Sequence, residues 1–364
     1  MYEGKKLRVG IIGCGGIANG KHMPSLKNVK ECEMVAFCDL IIERAEEAAK
    51  KYGTEEAKVY VDYKELLADE TIDVVHVCTP NRAHSFITVD ALEAGCHVMC
   101  EKPMAINSEE ALKMLEAAKR TGKKLTIGYQ SRQTNAGQFL KNEALAGTFG
   151  DIYYARAIAL RRRAVPTWGV FLDKDEQGGG PLIDIGTHAL DLTLWIMDNY
   201  KPKYCVGTAY HALNSQTETA NSFGDWDPEK FTVEDCAFGF VVMENGATIS
   251  VESSWAINML DTVEASSILC GTKGGGQKIV NDVRINGIRQ GRMYDYSPNL
   301  NSGGVAFYDG DNGDDHCVRE ARQWILSIIN DTDSTVLPEQ AYVVTRILEG
   351  IYKSAESGDI YYFD

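Results

Sequence analysis

The stretch VGIIGCGGIANGKH, residues 9–22, contains the pattern G-x-G-x-x-A at residues 13–18. The apolar run before it, Leu7 to Gly13, predicts a buried strand, and the residues after it predict a helix. Glycine lets such a turn close tightly and lets the backbone approach a pyrophosphate, while the helix N-terminus supplies N–H donors. The pattern therefore predicts a dinucleotide-binding turn, with a tight turn that binds no ligand as the alternative. The residues expected at the cofactor are Gly13, Gly15, Gly16 and Ile17.

The first third of the chain alternates between strand and helix patterns. Apolar runs from Glu33 to Asp39 and from Val74 to Cys78 predict two further strands, and HVMC near residue 97 and LTIG near residue 125 predict shorter ones. Such alternation is typical of α/β proteins with a doubly wound parallel sheet. We therefore expect a Rossmann domain over residues 1–128. The length of 364 residues predicts a second domain, over residues 129–364.

Polar residues follow the second and third predicted strands. Asp39 comes about 20 residues after Ala18, where a carboxylate can accept hydrogen bonds from both ribose hydroxyls and would repel a 2′-phosphate. It therefore favours NAD over NADP, with the alternative that Asp39 only caps the next helix. After the third strand, CTPNRAH places Thr79, Asn81 and His84 where open parallel sheets bind ligands. For His84, a position in a surface loop is the alternative.

The second part of the chain has longer strands with alternating patterns. In ATISVESSW, residues 247–255, apolar side chains point to one face and Thr, Ser and Glu to the other. This pattern predicts a large, open, mostly antiparallel sheet, whose second face meets water or a partner subunit. DCAFGFVVM and TVEASSILC resemble neighbouring strands, and helices are predicted near residues 317–330 and 338–357. YDGDNGDD, residues 308–315, predicts a loop.

The stretch GGGPLIDIGTHALDL, residues 178–192, places Asp184 and His188 four residues apart in the first turns of a predicted helix. Oxidation of an alcohol removes a hydride from carbon and a proton from oxygen, so the protein must supply a proton acceptor. Histidine suits this role because its reference pKa is about 6.5, and a helix N-terminus disfavours the imidazolium. Asp184 can orient the ring or bind a second hydroxyl. The alternatives are that Asp184 caps the helix and that His188 lies in the core.

CEKPM, residues 100–104, completes a set of motifs whose order and spacing resemble those of the Gfo/Idh/MocA oxidoreductase family. The resemblance extends over nearly the whole chain. It implies a Rossmann domain followed by an α/β domain with a large open sheet, and a nicotinamide dinucleotide as cofactor. Lys102 matches the family's active-site lysine, which stabilises negative charge on the substrate oxygen. Asp184 and His188 match the pair that meets substrate hydroxyls.

Further residues are assigned to the cofactor by the same resemblance. It implies that Glu101 lies near the nicotinamide ribose, that Arg44 lies over the adenine, and that Trp168 reaches the nicotinamide end. Gln130 and Arg132, in the stretch GYQSRQ, are implied as residues lining the site. The resemblance also implies a homo-oligomer, a dimer or a tetramer, formed by packing the open sheets face to face.

The composition excludes several classes of partner. The chain carries 37 basic and 52 acidic residues, and this net charge of −15 disfavours binding to nucleic acid and to anionic membranes. A local basic spot, formed by Arg161, Arg162 and Arg163, could still bind a ligand. The alternative is that these arginines form the solvated edge of a strand. The ten cysteines form no CxxC pair, which argues against a zinc site and favours a reducing compartment. No secretory signal or membrane-length apolar run is present, so we expect a cytoplasmic protein.

Together these features favour an NAD-dependent oxidoreductase that acts on a secondary alcohol of a sugar, a glycoside or a polyol. The preferred substrate group is the 3-hydroxyl of a hexopyranoside, and an inositol dehydrogenase is the next alternative. A redox-neutral enzyme that retains its NAD and a non-catalytic NAD-binding regulator remain as alternatives of other classes. The three residues expected to act on the substrate, Lys102, Asp184 and His188, argue against the regulator.

Overall fold

The computed structural model describes residues 4–279, 282–300 and 315–364, and within them the chain forms two compact units. The first unit contains the chain up to Gln133 together with the segment that ends at Tyr342. The second contains the chain from Thr134 to the gap after residue 300, and the C-terminal segment from Val343 onward. No helix of the described residues has the length and apolar character needed to cross a membrane.

The first unit is built on a parallel sheet of six strands. The strands are β1 (Leu7–Ile12), β2 (Cys32–Cys38), β3 (Lys58–Tyr60), β4 (Val74–Val77), β5 (His97–Cys100) and β6 (Leu125–Ile127). Their order across the sheet is 3-2-1-4-5-6, which is the order of dinucleotide-binding Rossmann folds. This confirms the predicted doubly wound sheet. The short edge strand β3 was not predicted, because its three residues are exposed or half-buried and carry no apolar pattern.

The helices of the first unit connect these parallel strands. They are α1 (Met23–Leu26), which continues a π-helical turn at Ala18–His22, α2 (Ile42–Tyr52), α3 (Tyr63–Leu67), α4 (Asn81–Glu93) and α5 (Ser108–Thr121), and a 3₁₀ turn follows at Gln130–Gln133. A π-helical turn contains one residue more than an α-helical turn, and such turns are frequent at functional sites. The turn at Ala18–His22 directly follows the predicted cofactor-binding glycines.

The second unit is built on a mixed sheet of nine strands. The strands are β7 (Ile152–Leu160), β8 (Pro202–Tyr210), β9 (Cys236–Met243), β10 (Thr248–Ser254), β11 (Ser266–Gly271), β12 (Gly274–Ile279), β13 (Asp282–Arg289), β14 (Arg292–Tyr296) and β15 (Tyr361–Tyr362). Their order is 14-13-12-11-7-10-9-8-15. Neighbouring strands are antiparallel except for the central pair of β7 and β10, which confirms the predicted mostly antiparallel sheet.

The two faces of this sheet differ as the alternating pattern predicts. Ile249 and Val251 of β10 are fully buried, whereas Ser250 and Glu252, which alternate with them, are half-buried. On the buried face lie α6 (Asn135–Leu145) and α8 (Thr187–Met197), and the short α7 (Lys174–Gln177) precedes a π-helical turn at Leu182–Gly186. The π-helical turn that contains Asp184, and α8 directly after it, therefore pack on the apolar face of the sheet.

Two helices follow the last gap, α9 (His316–Ile329) and α10 (Pro338–Ser357), close to the predicted bounds. Trp324, Ile325 and Ile328 of α9 pack in the same apolar cluster as Leu7 and Val9 of β1, because α9 buries its apolar face on the first unit. The predicted second domain, residues 129–364, thus includes a segment that belongs to the first compact unit. Except for Asp315, the predicted loop YDGDNGDD lies outside the described residues.

Candidate functional site

The turn after β1 brings two strand ends into close contact. Gly13 has a φ of +90°, and a Cβ there would lie 2.6 Å from the carbonyl oxygen of Cys78, so only glycine fits. At Gly15 and Gly16 a Cβ would instead point into open space. These two glycines therefore leave room for a ligand to approach the backbone, as a pyrophosphate-binding turn requires.

Asp39 lies at the end of β2 and ties this turn in place. Its Oδ2 accepts the backbone N–H of Cys14 at 2.8 Å, and its Oδ1 accepts the backbone N–H of Ile41 at 2.9 Å, next to the start of α2. Asp39 is not the N-cap of α2, which is Ile41, so its structural role is to hold the turn. Each carboxylate oxygen keeps a second acceptor position for a ribose hydroxyl. Arg44 is exposed near the start of α2. Its stacking on an adenine stays a prediction.

His84 joins the loops that follow β4 and β5. Its Nδ1 lies 2.7 Å from the carbonyl oxygen of Pro103, and its Nε2 lies 2.9 Å from the carbonyl oxygen of Thr79. The ring is buried rather than in a surface loop, and burial lowers its pKa. His84 therefore acts on both loops through their backbone, and a direct contact with a cofactor stays a prediction. Asn81 is buried at the start of α4.

Glu101 is held by a buried network that the sequence did not reveal. Lys21 Nζ donates to Glu101 Oε1 at 2.8 Å and forms an ion pair with Glu320 Oε2 at 2.9 Å. His22 Nε2 lies 2.7 Å from the same oxygen of Glu101, and its Nδ1 lies 2.9 Å from Nδ1 of His76. All five side chains are more than nine-tenths buried. The π-helical turn at Ala18–His22 supplies both Lys21 and His22.

The electrostatics of this network keep Glu101 ionised. Burial alone would favour the neutral acid, but Lys21 and His22 hold the pKa of Glu101 well below its usual value. In turn, Glu101 and Glu320 raise the pKa of Lys21 although burial opposes this. Glu101 Oε2 accepts the backbone N–H of Lys102 at 3.1 Å. The network therefore fixes the turn that carries Lys102, whose peptide bond to Pro103 is cis.

The residues implied in the stretch GYQSRQ take part in the first unit's own structure. Gln130 Oε1 accepts from Lys21 Nζ at 3.3 Å. Arg132 is fully buried and donates from one guanidinium nitrogen to the carbonyl oxygen of Thr335 at 2.9 Å and to Gln340 Oε1 at 2.6 Å. Arg132 thus anchors the segment that follows α9. Lining of the site by Gln130 and by Arg132 stays a prediction.

These features of the first unit fit a nicotinamide dinucleotide. Gly15 and Gly16 leave open space, Asp39 keeps acceptor capacity, and the buried hydroxyl oxygen of Thr79 has no hydrogen-bond partner in the part of the chain that the structure describes. The glycine turn would hold the pyrophosphate, and Asp39 would hold the adenosine ribose. Nothing in this donor set selects a metal ion or a flavin instead.

In the second unit, a buried carboxylate caps the segment that carries Asp184. The backbone N–H groups of Gly180 and Leu182 donate to Glu234 at 2.8 Å and 3.2 Å, and Tyr352 donates its hydroxyl to Glu234 Oε1 at 2.7 Å. Glycine is needed at residue 180 because a Cβ would overlap the Glu234 carbonyl oxygen. The run of three glycines therefore allows close packing, and Gly178, with a φ of +80°, provides the turn.

The spacing of Asp184 and His188 predicts that both lie in one α-helix, and the structure corrects this prediction. Asp184 belongs to the π-helical turn, and His188 is the second residue of α8. Asp184 is buried, and its Oδ2 accepts the indole N–H of Trp255 at 3.1 Å. From residue 179 to residue 196 every residue is buried except His188, which is half-buried. The imidazole of His188 is thus the only side chain of this stretch that is partly exposed.

The local basic spot has a structural explanation at two of its three positions. Arg161 forms a bidentate pair with Glu264, with both N···O distances at 2.6 Å, and Asp184 contributes to raising its pKa, although burial opposes the rise. Arg163 donates to Asn258 Oδ1 at 2.6 Å.

Trp168 is 52% exposed and meets Phe223 edge to face. Contact of Trp168 with a nicotinamide stays a prediction.

Several residues of the candidate site were not found from the sequence. They are Lys21, His22, His76, Glu234, Trp255 and Glu320. The side-chain contacts that bring them to the site join residues more than 50 positions apart in the sequence. The sequence offered one signal: Lys21 and His22 are adjacent basic residues in the segment that directly follows the glycine turn.

Two family models match this chain. Residues 7–129 match an oxidoreductase family with an NAD-binding Rossmann fold, and residues 138–276 match the GFO/IDH/MocA C-terminal domain. The D-glucoside 3-dehydrogenase of Escherichia coli strain K12 is 35% identical over 358 residues, which cover 97% of this chain and 96% of that protein.

Two further matches are more limited in what they show. The inositol 2-dehydrogenase of Salmonella paratyphi B is 32% identical over 198 residues, which span 54% of this chain and 56% of that protein. The structure of levoglucosan dehydrogenase in complex with NADH matches with a TM-score of 0.83 at 21% identity, covering 99% of this chain and 100% of that one. This last similarity shows a shared fold.

Proposed function

Because the chain belongs to the GFO/IDH/MocA family of oxidoreductases, we propose that it oxidises the 3-hydroxyl of a hexopyranoside. The protein is an NAD-dependent oxidoreductase that acts on CH–OH groups of sugars or polyols. The finer assignment draws on the D-glucoside 3-dehydrogenase, because that similarity extends over nearly the whole chain. The inositol dehydrogenase covers only about half of it.

A single observation about the second unit carries the proposal. His188 is the one half-buried residue in an otherwise buried stretch of 18 residues, and Asp184, four residues earlier in the chain, accepts a hydrogen bond from Trp255. A histidine of the core would be enclosed like its neighbours. Here the fold instead exposes the one side chain of the helix that can accept a proton near neutral pH.

The roles of the residues follow from the proton and the charge that oxidation of an alcohol produces. When bound, NAD supplies the hydride acceptor. His188 accepts the proton of the substrate hydroxyl, and Asp184 accepts a hydrogen bond from a neighbouring hydroxyl. The ammonium of Lys102 stabilises the negative charge that develops on the substrate oxygen. Glu101 positions Lys102 by accepting its backbone N–H.

The outer face of the nine-stranded sheet supports a proposal about assembly. Val206 and Phe240, opposite each other on β8 and β9, are 42% and 45% exposed, and Tyr210 lies further along β8. A contiguous apolar patch of this kind is typical of an interface. We assign this face to contact with a second copy of the chain, in a dimer or a tetramer.

The cysteines support a proposal about location. All ten are free, and eight are buried. Burial and the nearby Asp39 raise the pKa of Cys14 to about 12, so its thiol in the glycine turn stays protonated and unreactive. Free, protonated thiols in this number fit the reducing cytoplasm.

The experiment is a substrate screen followed by identification of the product. The purified protein is incubated with NAD and with methyl glucoside, glucose or myo-inositol, and NADH fluorescence is recorded. We expect the fastest NADH formation with the glucoside and a keto group at C3 by NMR. Preference for inositol, or oxidation at another carbon, would contradict the proposal. NAD that copurifies, with sugar conversion but no NADH release, would indicate the redox-neutral alternative.

A further inference from the structure

Four aromatic side chains of the second unit form a row that leads from Asp184 to the surface. Trp255 is fully buried, and its ring lies 6.3 Å from that of Phe171, centroid to centroid. Phe171 lies 5.8 Å from Trp168, which lies 5.0 Å from Phe223. Every contact is edge to face, the geometry that aromatic pairs favour. We call these four residues the aromatic row.

The outer two rings of the aromatic row are exposed but held firmly. Trp168 is 52% exposed and Phe223 is 45% exposed. The side-chain oxygen of Asn221 accepts the backbone N–H of Val165 at 2.8 Å, and its amide donates to the carbonyl oxygen of Val165 at 2.9 Å. Thr167 donates its hydroxyl to the carbonyl oxygen of Phe223 at 2.6 Å. The two loops are therefore braced with both rings facing solvent, as in a preformed binding site.

The side chains around the aromatic row indicate the class of ligand. The segment that carries Phe223, residues 211–235, contains four exposed carboxylates and one exposed lysine, because Glu234 and Asp235 are buried. Near Trp168 in the sequence, Glu264 neutralises Arg161, whereas Arg163 donates to the neutral amide of Asn258 and keeps its charge. Charges of both signs therefore surround the exposed rings, and they do not favour an ionic ligand of either sign. A neutral ligand with a flat apolar group suits this surface.

We propose that Trp168 and Phe223 form a subsite for the aglycone of a neutral glycoside. The inference rests on the proposed function, in which the pyranose ring lies against Asp184 and His188. A group attached to that ring would extend along the aromatic row towards the surface, where the two exposed rings stack on it. Aryl and other flat apolar aglycones gain most from such stacking. The enzyme therefore selects glycosides over free sugars by the group they carry.

The test compares two substrates that differ only in the aglycone. KM and kcat are measured for methyl and phenyl glucoside, and direct binding of both is measured by calorimetry on the NADH-bound protein. We expect the wild type to favour the phenyl glucoside by about tenfold in KM, as one aromatic contact contributes. Phe223→Ala and Trp168→Ala should each reduce this preference to about threefold or less, while Phe223→Leu should retain part of it.

A matched control and three outcomes make the test decisive. Tyr296→Ala removes an aromatic side chain of similar exposure from the edge strand β14 and should leave the phenyl-to-methyl preference as in the wild type. An unchanged preference in both Phe223→Ala and Trp168→Ala would overturn the subsite. So would a loss of NAD affinity alone in Trp168→Ala, because Trp168 would then serve the nicotinamide end. If neither glucoside is oxidised but phenyl glucoside still binds more tightly than methyl glucoside, the proposed function fails and the subsite stands.

Discussion

Lys21→Met probes the buried network beneath Glu101. The substitution keeps most of the apolar stem but removes an ammonium that contacts Glu101 at 2.8 Å, Glu320 at 2.9 Å and Gln130 at 3.3 Å. Lys21 is 6% exposed, so solvent cannot replace it readily. Removal of one partner from a buried ion pair typically costs about 3–5 kcal/mol, and here two carboxylates lose their common cation. We therefore expect the free energy of unfolding to fall by about 4 kcal/mol near neutral pH.

The sign of the pH dependence follows from the direction of the Glu101 shift. In the wild type the pKa of Glu101 is held below its usual value, so its contribution to stability is present at neutral pH and is lost as the pH falls through the acidic range. Without Lys21, burial favours the protonated form of Glu101, so acid reduces the cost of leaving this carboxylate without its cation. The difference in the free energy of unfolding between the wild type and Lys21→Met should therefore be largest near pH 8 and smaller near pH 5.

The assay is urea denaturation followed by circular dichroism at both pH values. Lys27→Met, which removes an exposed lysine from the same region, should change stability by less than about 0.5 kcal/mol. A triple variant that adds Glu101→Gln and Glu320→Gln should recover part of the loss. A deficit below about 1 kcal/mol in Lys21→Met, or one that does not depend on pH, would refute the reasoning.

Three other predictions concern the cofactor, pH and assembly. NAD should bind at least about tenfold more tightly than NADP, and Asp39→Ala should narrow this gap in a fluorescence titration; equal wild-type affinities would contradict it. Burial lowers the pKa of Lys278 from 10.5 to about 8, so the folded protein loses this proton at a lower pH than the unfolded chain does. The free energy of unfolding should therefore rise as the pH increases from 8 to 10.5. Urea denaturation of Lys278→Met should show no such rise. Phe240→Asp should dissociate the oligomer by light scattering, and a wild-type mass near 40.2 kDa would contradict assembly.

The parts of the fold that the sequence revealed are those set by local pattern. Strands β1, β2 and β4 were predicted within a residue or two, because each is an apolar run bounded by turn residues. The alternation in β10 correctly assigned Ile249 and Val251 to the buried face. Asp39 and Thr79 could be expected at one edge of the sheet because parallel strands share the direction of their carboxyl ends.

The parts that were missed depend on contacts between distant segments. Glu234 caps the Asp184 segment from 54 residues away, and Glu101 meets Lys21 from 80 residues away. The π-helical turns at Ala18–His22 and Leu182–Gly186 follow from tertiary packing, and no residue pattern distinguishes them from α-helix. The return of α9 to the first unit is likewise decided by which apolar face can receive Trp324.

Turnover of His188→Ala, measured beside its affinity for NAD, tests the central claim most directly. His188 is the one half-buried residue of its helical stretch, and removal of a general base typically lowers the rate by about 10² to 10⁴. We expect a loss of that size in kcat on the best glucoside, with NAD affinity within about threefold of the wild type, because the glycine turn and Asp39 lie in another part of the chain. The kcat of Asp184→Asn should fall less, since its amide can still hydrogen-bond a substrate hydroxyl. If His188→Ala retains most of its turnover, the proton acceptor lies elsewhere and the account of the site is wrong.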